Sequence, residues 1–295
     1  VGCSLVGGSF AGRPPYAAPI FQRLNLPFSP TIKISMPHLL HVWPNVRRQL
    51  LPASQVLMLF DYDGTLTPLM SNPDEAKLAD QVRKSLTALV SGSKFTCGVI
   101  SGRALEDVET KVDVPGMIYA GNHGLEIRGP GIDFVHKQAV EQAGTQVQIV
   151  GELKSALSWI PGVIVEPKGL TLSVHYRGAH TEQISTVEEI FARITAASVD
   201  TGTSIVTRGK KVLELRPNLP WDKGTAINLL QKSYPNASTV WFFGDDRTDE
   251  DGFSVVQDSG GIAVLVGPAR QPTAAWHRVD SPEEVAHVLD LLLQI

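Results

Sequence analysis

The chain has 295 residues, 43% hydrophobic and 19% charged, with a formal net charge of −4. This balance describes a globular protein with one large core or two modest ones, and it excludes a disordered chain. The mild acidic excess implies no basic face for nucleic acid; Cys3 and Cys97 make neither a disulfide framework nor a zinc cluster; and no apolar run reaches the roughly 18 residues of a membrane span.

Before Asp61 the chain carries no acid, while Arg13, Arg23, Lys33, Arg47 and Arg48 are basic. Gly, Pro and Ser are frequent up to about Pro37. Two readings of this stretch stand, an acid-poor targeting remnant or a misplaced start with Met36 as initiator, and the second is preferred. Residues 1–37 are expected to be weakly ordered and outside the chemistry, in a protein of the cytoplasm.

Leu39, Trp43, Val46 and Leu50 recur at helical spacing, and Pro44 is tolerable only in a first turn, so a helix begins near Trp43. Val56 to Phe60 is a buried strand running straight into Asp61-Tyr-Asp63-Gly64-Thr65. An amphipathic helix over Leu78 to Val90 stops near Gly92; Phe95 to Ile100 is a second strand ending in Ser101-Gly102-Arg103; a short helix follows from Leu105; and Met117 to Ala120 is a third strand ending in Gly121-Asn122-His123-Gly124. Strand and helix in alternation predict a parallel α/β sheet. After Gly124 the pattern changes. Leu125 to Ile127 and Ile132 to Val135 read as a hairpin, a helix spans about Glu141 to Ile160, and Val163 to Glu166 pairs with Leu170 to His175. A helix over Glu182 to Ala197 and strands Ser204 to Thr207 and Val212 to Leu215 complete a small α+β unit. From Asp222 the first pattern returns, with a helix to Leu230, strands Thr239 to Phe243 and Ile262 to Val266, and a closing helix over Pro282 to Leu293.

Four strands of the first pattern thus end in reactive groups: Asp61 with Asp63, Ser101, Asn122 with His123, and Asp245 with Asp249; Lys223 opens a helix of the same unit. Singly each has a bland explanation: an Asx turn, a solvated cation, or an acidic helix start. Jointly, polar groups repeated at carboxyl strand ends mark a crevice site. Alternation points Asp61 and Asp63 into one crevice, where two acids call for a shared proton or a bound cation. A carboxylate nucleophile, a second acid, a hydroxyl, a lysine and an acidic cluster suit phosphoryl transfer, with Mg2+ as the fitting cation.

Asp61-Tyr-Asp-Gly-Thr65, Ser101-Gly-Arg103, Asp222-Lys223-Gly224 and Gly244-Asp-Asp-Arg-Thr-Asp-Glu-Asp251 resemble the four ordered motifs of the haloacid dehalogenase superfamily. Within it the resemblance is to the trehalose-6-phosphate phosphatase family, whose connecting motifs look like Gly121-Asn-His-Gly124, Val165-Glu-Pro-Lys168, Val174-His-Tyr-Arg177 and Leu213-Glu-Leu-Arg-Pro217. The resemblance implies an α/β fold: a Rossmann-like parallel-sheet core (residues 38–124 and 218–295) with an inserted smaller α+β cap over 125–217. It also implies that Asp61 attacks phosphorus, that Asp63 protonates the leaving sugar oxygen and then activates water, and that Ser101 and Lys223 hold phosphoryl oxygens. Mg2+ is expected on the Asp61 carboxylate, the Asp63 carbonyl and Asp245, with Asp249 as ligand or as anchor for Lys223. Thr65, Arg103, Asn122, His123, Glu166, Lys168 and Glu214 are the candidate contacts for a small-molecule sugar phosphate, with His175 and Arg177 readable as plain wet-face strand residues. The leading expectation is hydrolysis of trehalose 6-phosphate. Its alternatives are hydrolysis of sucrose 6-phosphate or a glycosyl-glycerate phosphate, or sugar-phosphate binding without catalysis.

Overall fold

The computed structural model describes residues 36–70, 72–268 and 272–295, of which 36–295 form one compact unit. The expectation of weak order before residue 38 falls almost wholly outside the described residues. The chain runs α1 (Trp43–Leu50), β1 (Val56–Phe60), α2 (Asp80–Ser91), β2 (Phe95–Ile100), α3 (Leu105–Val112), β3 (Ile118–Gly121), β4 (Glu126–Gly129) and β5 (Ile132–Val135). It continues through α4 (Lys137–Leu157), β6 (Ile164–Pro167), β7 (Leu172–His175), α5 (Ile184–Asp200), β8 (Ser204–Gly209) and β9 (Val212–Pro217). The last part is α6 (Lys223–Ser233), β10 (Thr239–Gly244), α7 (Glu250–Asp258), β11 (Ile262–Val266), β12 (His277–Val279) and α8 (Pro282–Leu292).

The larger sheet has the order β12-β11-β10-β1-β2-β3-β4-β5, with parallel pairing from β12 to β3 and antiparallel pairing beyond it. β1 lies near its middle and is buried along its whole length. Because successive side chains leave opposite faces, Met58 and Phe60 pack toward α1, α2, α3 and α8, while Leu57 and Leu59 pack toward α6 and α7. Phe243 and Phe242 divide in the same way. Two apolar layers therefore clamp the strands whose ends carry the candidate site.

The second sheet is antiparallel, ordered β6-β7-β9-β8. Leu172, Val174, Leu213 and Leu215 cover one face and pack with Ile149, Leu153 and Leu157 of α4 and Val187 and Phe191 of α5. Alternation leaves the other face to Glu166, Ser173, His175, Glu214 and Arg216, all of which line one cavity.

Three expectations change. The hairpin 126–135 belongs to the larger sheet: Ala120 pairs with Ile127 and Ile127 is wholly buried, so the chain turns back through 122–124 and extends the core. We therefore draw the inserted unit from His136 to Pro217 instead of from Leu125. α4 starts at Lys137, four residues before the expected Glu141, since Ala139 already docks against Leu125 and Leu170. β12 has no counterpart in the expected elements; three residues are too few to show a period, and His277–Val279 forms a strand through its pairing with β11.

Candidate active site

At the end of β1 the Asp61 backbone N–H donates to the Phe243 carbonyl at 2.8 Å, so the β1–β10 ladder still holds the chain where the first carboxylate begins. Lys223, two per cent exposed, donates to Asp61 Oδ1 and to Asp249 Oδ1, both at 2.6 Å. Its place at the start of α6 is set by Asp222, whose carboxylate caps the helix by accepting from the Thr225 N–H at 2.7 Å. Asp249 is wholly buried, and its second oxygen accepts from the N–H groups of Asp245 and Asp246, each at 3.0 Å. Both Asp249 oxygens are therefore committed, one to a lysine and one to a turn.

Asp245 closes the group. One ligand oxygen from each of Asp61, Asp245 and Asp249 lies within 4.8 Å of the others. Gly64 permits the approach: its φ is +92°, and a Cβ there would sit 2.3 Å from Asp245 Oδ2. Burial is the larger influence on Asp61 and raises its pKa against the pull of Lys223, with Asp249 and Asp245 adding to the rise. Asp245 is pushed up to about 6 by burial and Asp249, against Lys210. Burial works against the Lys223 charge, but the Asp249 and Asp61 carboxylates outweigh it and hold the lysine pKa high. Crowded, partly desolvated oxygen donors beside a glycine that leaves room for them fit a small hard cation.

Asp63 points into the same cavity, but both of its oxygens accept from Arg103, Nε and Nη2, at 2.7 Å each. The guanidinium also donates to Asp107 at 2.7 Å and to the Pro73 carbonyl at 2.8 Å, and it lies over the Tyr62 ring at 5.2 Å. Arg103 thus acts first as a clamp on Asp63. Ser101, at the end of β2, lines the cavity beside it.

The opposite wall comes from the second sheet. Glu214 accepts from Lys168 Nζ at 2.7 Å and from Thr207 Oγ1 at 3.2 Å, and it meets His123 Nε2 at 3.0 Å. The register that aligns Glu166 with Ser173, Ser173 with Glu214 and Glu214 with Thr207 lays one polar row across all four strands. Lys168 also donates to the Gly102 carbonyl at 2.8 Å, joining the two sheets. Burial lowers the His123 pKa to about 4 against Glu214, so this imidazole is neutral and donates through Nε2. Burial works to raise Glu214, yet Lys168 and His123 hold its carboxyl well below the usual range. Glu166 pairs with His175 at 2.6 Å; that histidine and Lys168 lower its pKa against burial.

Of the expected residues, Asp61, Asp63, Ser101, Arg103, His123, Glu166, Lys168, Glu214, Lys223 and Asp245 line a single cavity of about 630 Å³, within the range of small-molecule sites. Asp249 stands behind it. Thr65 and Asn122 do not reach the wall: both are fully buried. Among the described residues the Thr65 hydroxyl has no partner, and Asn122 is occupied in holding Glu126, the Lys168 carbonyl and Thr171. Asn122 and His123 both adopt left-handed backbone, φ 49° and 59°, at the turn from β3 to β4. The cavity also takes in Arg177, Thr207 and Lys210, which sequence reasoning left out of the site. Strand alternation contained a signal for Thr207; for Lys210, in a surface turn, there was none.

A family model described as trehalose-phosphatase matches residues 59–283. Trehalose-phosphate phosphatase B of Arabidopsis thaliana is 34% identical over 254 residues, covering 81% of this chain and 67% of the relative. The trehalose-phosphate phosphatase of Mycobacterium avium (strain 104) is 36% identical over 247 residues, covering 80% of this chain and 61% of the relative. Among solved structures, the C-terminal domain of the C. albicans trehalose-6-phosphate phosphatase superimposes with a TM-score of 0.76 at 26% identity, covering 88% of this chain and 99% of that one.

Proposed function

The chain belongs to the trehalose-phosphatase family, and we propose that it hydrolyses trehalose 6-phosphate to trehalose and inorganic phosphate at the cavity between its two sheets. The observation that carries the reading is the Asp61–Lys223–Asp249 chain, two 2.6 Å contacts at strand and helix ends, facing a polar wall that matches a sugar in character.

In this reading an Asp61 oxygen attacks phosphorus, the bond from phosphorus to the sugar oxygen breaks, and Asp63 supplies the proton to that oxygen. Water then attacks the aspartyl phosphate, Asp63 takes the proton, and phosphate leaves with Asp61 restored. Arg103 holds both Asp63 oxygens, so Asp63 must release the guanidinium before it can give a proton. Lys223 steadies the nucleophile and the phosphoryl oxygens, Ser101 offers a hydroxyl to one of them, and Asp249 keeps Lys223 aimed. Asp61, the Asp63 carbonyl and Asp245 would hold Mg2+, which supplies positive charge against the phosphoryl oxygens. Asp249 is better read as the lysine's anchor than as a metal ligand, because its oxygens are taken.

The sugar hydroxyls would meet Glu166, Lys168, Glu214 and His123. Charged groups held by one another in a partly closed cavity recognise hydroxyls without moving, which favours one sugar shape over others. Among the described residues no helix is long and apolar enough to cross a membrane. Phosphate release from trehalose 6-phosphate, sucrose 6-phosphate, glucose 6-phosphate and a glycosyl-glycerate phosphate, each with Mg2+, tests the reading. We expect kcat/KM for trehalose 6-phosphate to exceed the others at least about tenfold, one well-placed polar contact being worth that much. Equal values across the set would remove the substrate assignment.

A further inference from the structure

The turn between β8 and β9 consists of two residues, Lys210 and Lys211, and it reaches from the second sheet across the cavity to the first. Lys210 Nζ donates to Asp245 Oδ2 at 2.9 Å. The turn carrying it is fastened on both sides. Lys211 sits in left-handed backbone at φ 63°, and its carbonyl accepts from the Tyr176 N–H at 3.1 Å. Arg177 donates to the Lys210 carbonyl at 2.8 Å and to the Met70 carbonyl, on the loop after β1, at 2.9 Å. A non-glycine residue in that backbone region is costly, and it persists where surrounding contacts impose it. Here they hold the turn tip above the acidic cluster.

Asp245 is thereby addressed by two cations. It is the carboxylate assigned above to the divalent cation, and its Oδ2 is already taken by an ammonium from the other sheet. Mg2+ demands nearly regular octahedral coordination and keeps much of its water, so an ammonium at contact distance from one of its ligands is a rival in both charge and space. We propose that Lys210 is a latch, competing with the divalent cation for Asp245, so that metal binding at the core and docking of the β8–β9 turn oppose one another. The coupling is reciprocal by thermodynamic necessity: the factor by which the latch weakens metal binding is the factor by which metal weakens the latch. The inference rests on the assignment of Asp245 as a metal ligand.

The test is a calorimetric titration of Mg2+ into the wild-type chain, Lys210→Met, Lys210→Arg and Asp245→Asn, joined to amide hydrogen exchange of residues 204–217 with and without Mg2+. Lys210 is about half exposed, so its pair with Asp245 has the modest strength of a surface contact, and Lys210→Met should bind Mg2+ about two- to fivefold more tightly. Lys210→Arg, which retains the cation, should stay near wild type. Mg2+ should speed exchange around the β8–β9 turn in the wild-type chain and leave it unchanged in Lys210→Met. Equal affinity in wild type and Lys210→Met, or slower exchange on adding Mg2+, would overturn the latch. If Asp245→Asn binds Mg2+ as well as wild type does, the metal assignment beneath the latch fails; if Asp245→Asn binds weakly while Lys210→Met is unchanged, the latch alone fails.

Discussion

The two sheets present charge to the same cavity and secure it by different means. In the larger sheet each reactive group follows a strand end or opens a helix, and backbone hydrogen bonds place it: Asp61 through Phe243, Ser101 through Ala120, and Asp249 through the Asp245 and Asp246 amides. In the smaller sheet the side chains are placed by one another, Glu214 by Lys168, His123 and Thr207, and Glu166 by His175. The first arrangement gives a rigid centre for a reaction that tolerates little displacement. Under the proposed function, the second makes recognition a property of a network, in which one loss is felt by all members.

Asp61→Asn breaks the comparison at its strongest point. The amide keeps the shape but cannot form the aspartyl phosphate, so phosphate release should fall by at least about 10⁴-fold, as for other covalent nucleophiles. Binding of trehalose 6-phosphate, followed by calorimetry, should survive, since the smaller sheet is untouched. Loss of binding together with turnover would mean that the two walls are not separable. Glu214→Gln is the counterpart on the other wall. It leaves the buried Lys168 ammonium without its carboxylate, and kcat/KM should drop about 10- to 100-fold, mainly through KM, in line with the worth of a hydrogen bond to a charged group. A fall confined to kcat would place Glu214 in the chemistry and not in recognition.

The same difference decides what could be read from sequence. The larger sheet's groups lie within a few residues of strong apolar strands, so Val56–Phe60 announces Asp61 and Asp63, and Phe95–Ile100 announces Ser101. The motif places the Thr65 hydroxyl just after two carboxylates and so suggests a site contact, whereas the turn at Gly64 carries it inward, away from the cavity. In the smaller sheet alternation separates wet from dry, but it does not say which wet residues meet. Glu214 finds Thr207 through the β8–β9 register, and Lys168 through a turn whose path depends on Asn122. Lys210 was beyond reach for the same reason: nothing local links a surface turn to a carboxylate 35 positions further along the chain.

His123 belongs to the larger sheet by chain position and to the smaller one by contact, and its titration gives the finest test of the comparison. Burial holds its pKa at about 4, against an ordinary 6.5, so the folded protein keeps the imidazole neutral. As pH falls below 6.5 the unfolded chain takes up a proton that the folded chain refuses. The stability this residue lends is therefore present above pH 6.5 and is lost progressively as pH drops toward 4. Between pH 6.5 and 5.5 the loss is about 1 kcal/mol, since each pH unit in that window approaches 1.36 kcal/mol for one proton. Urea unfolding of wild type and His123→Asn at the two pH values measures it, and the wild type should lose about 1 kcal/mol more than the variant. Equal losses would mean that Glu214 keeps the imidazole charged, making the link between the sheets an ion pair like the one Lys168 makes, and the two walls would then share one means of holding charge.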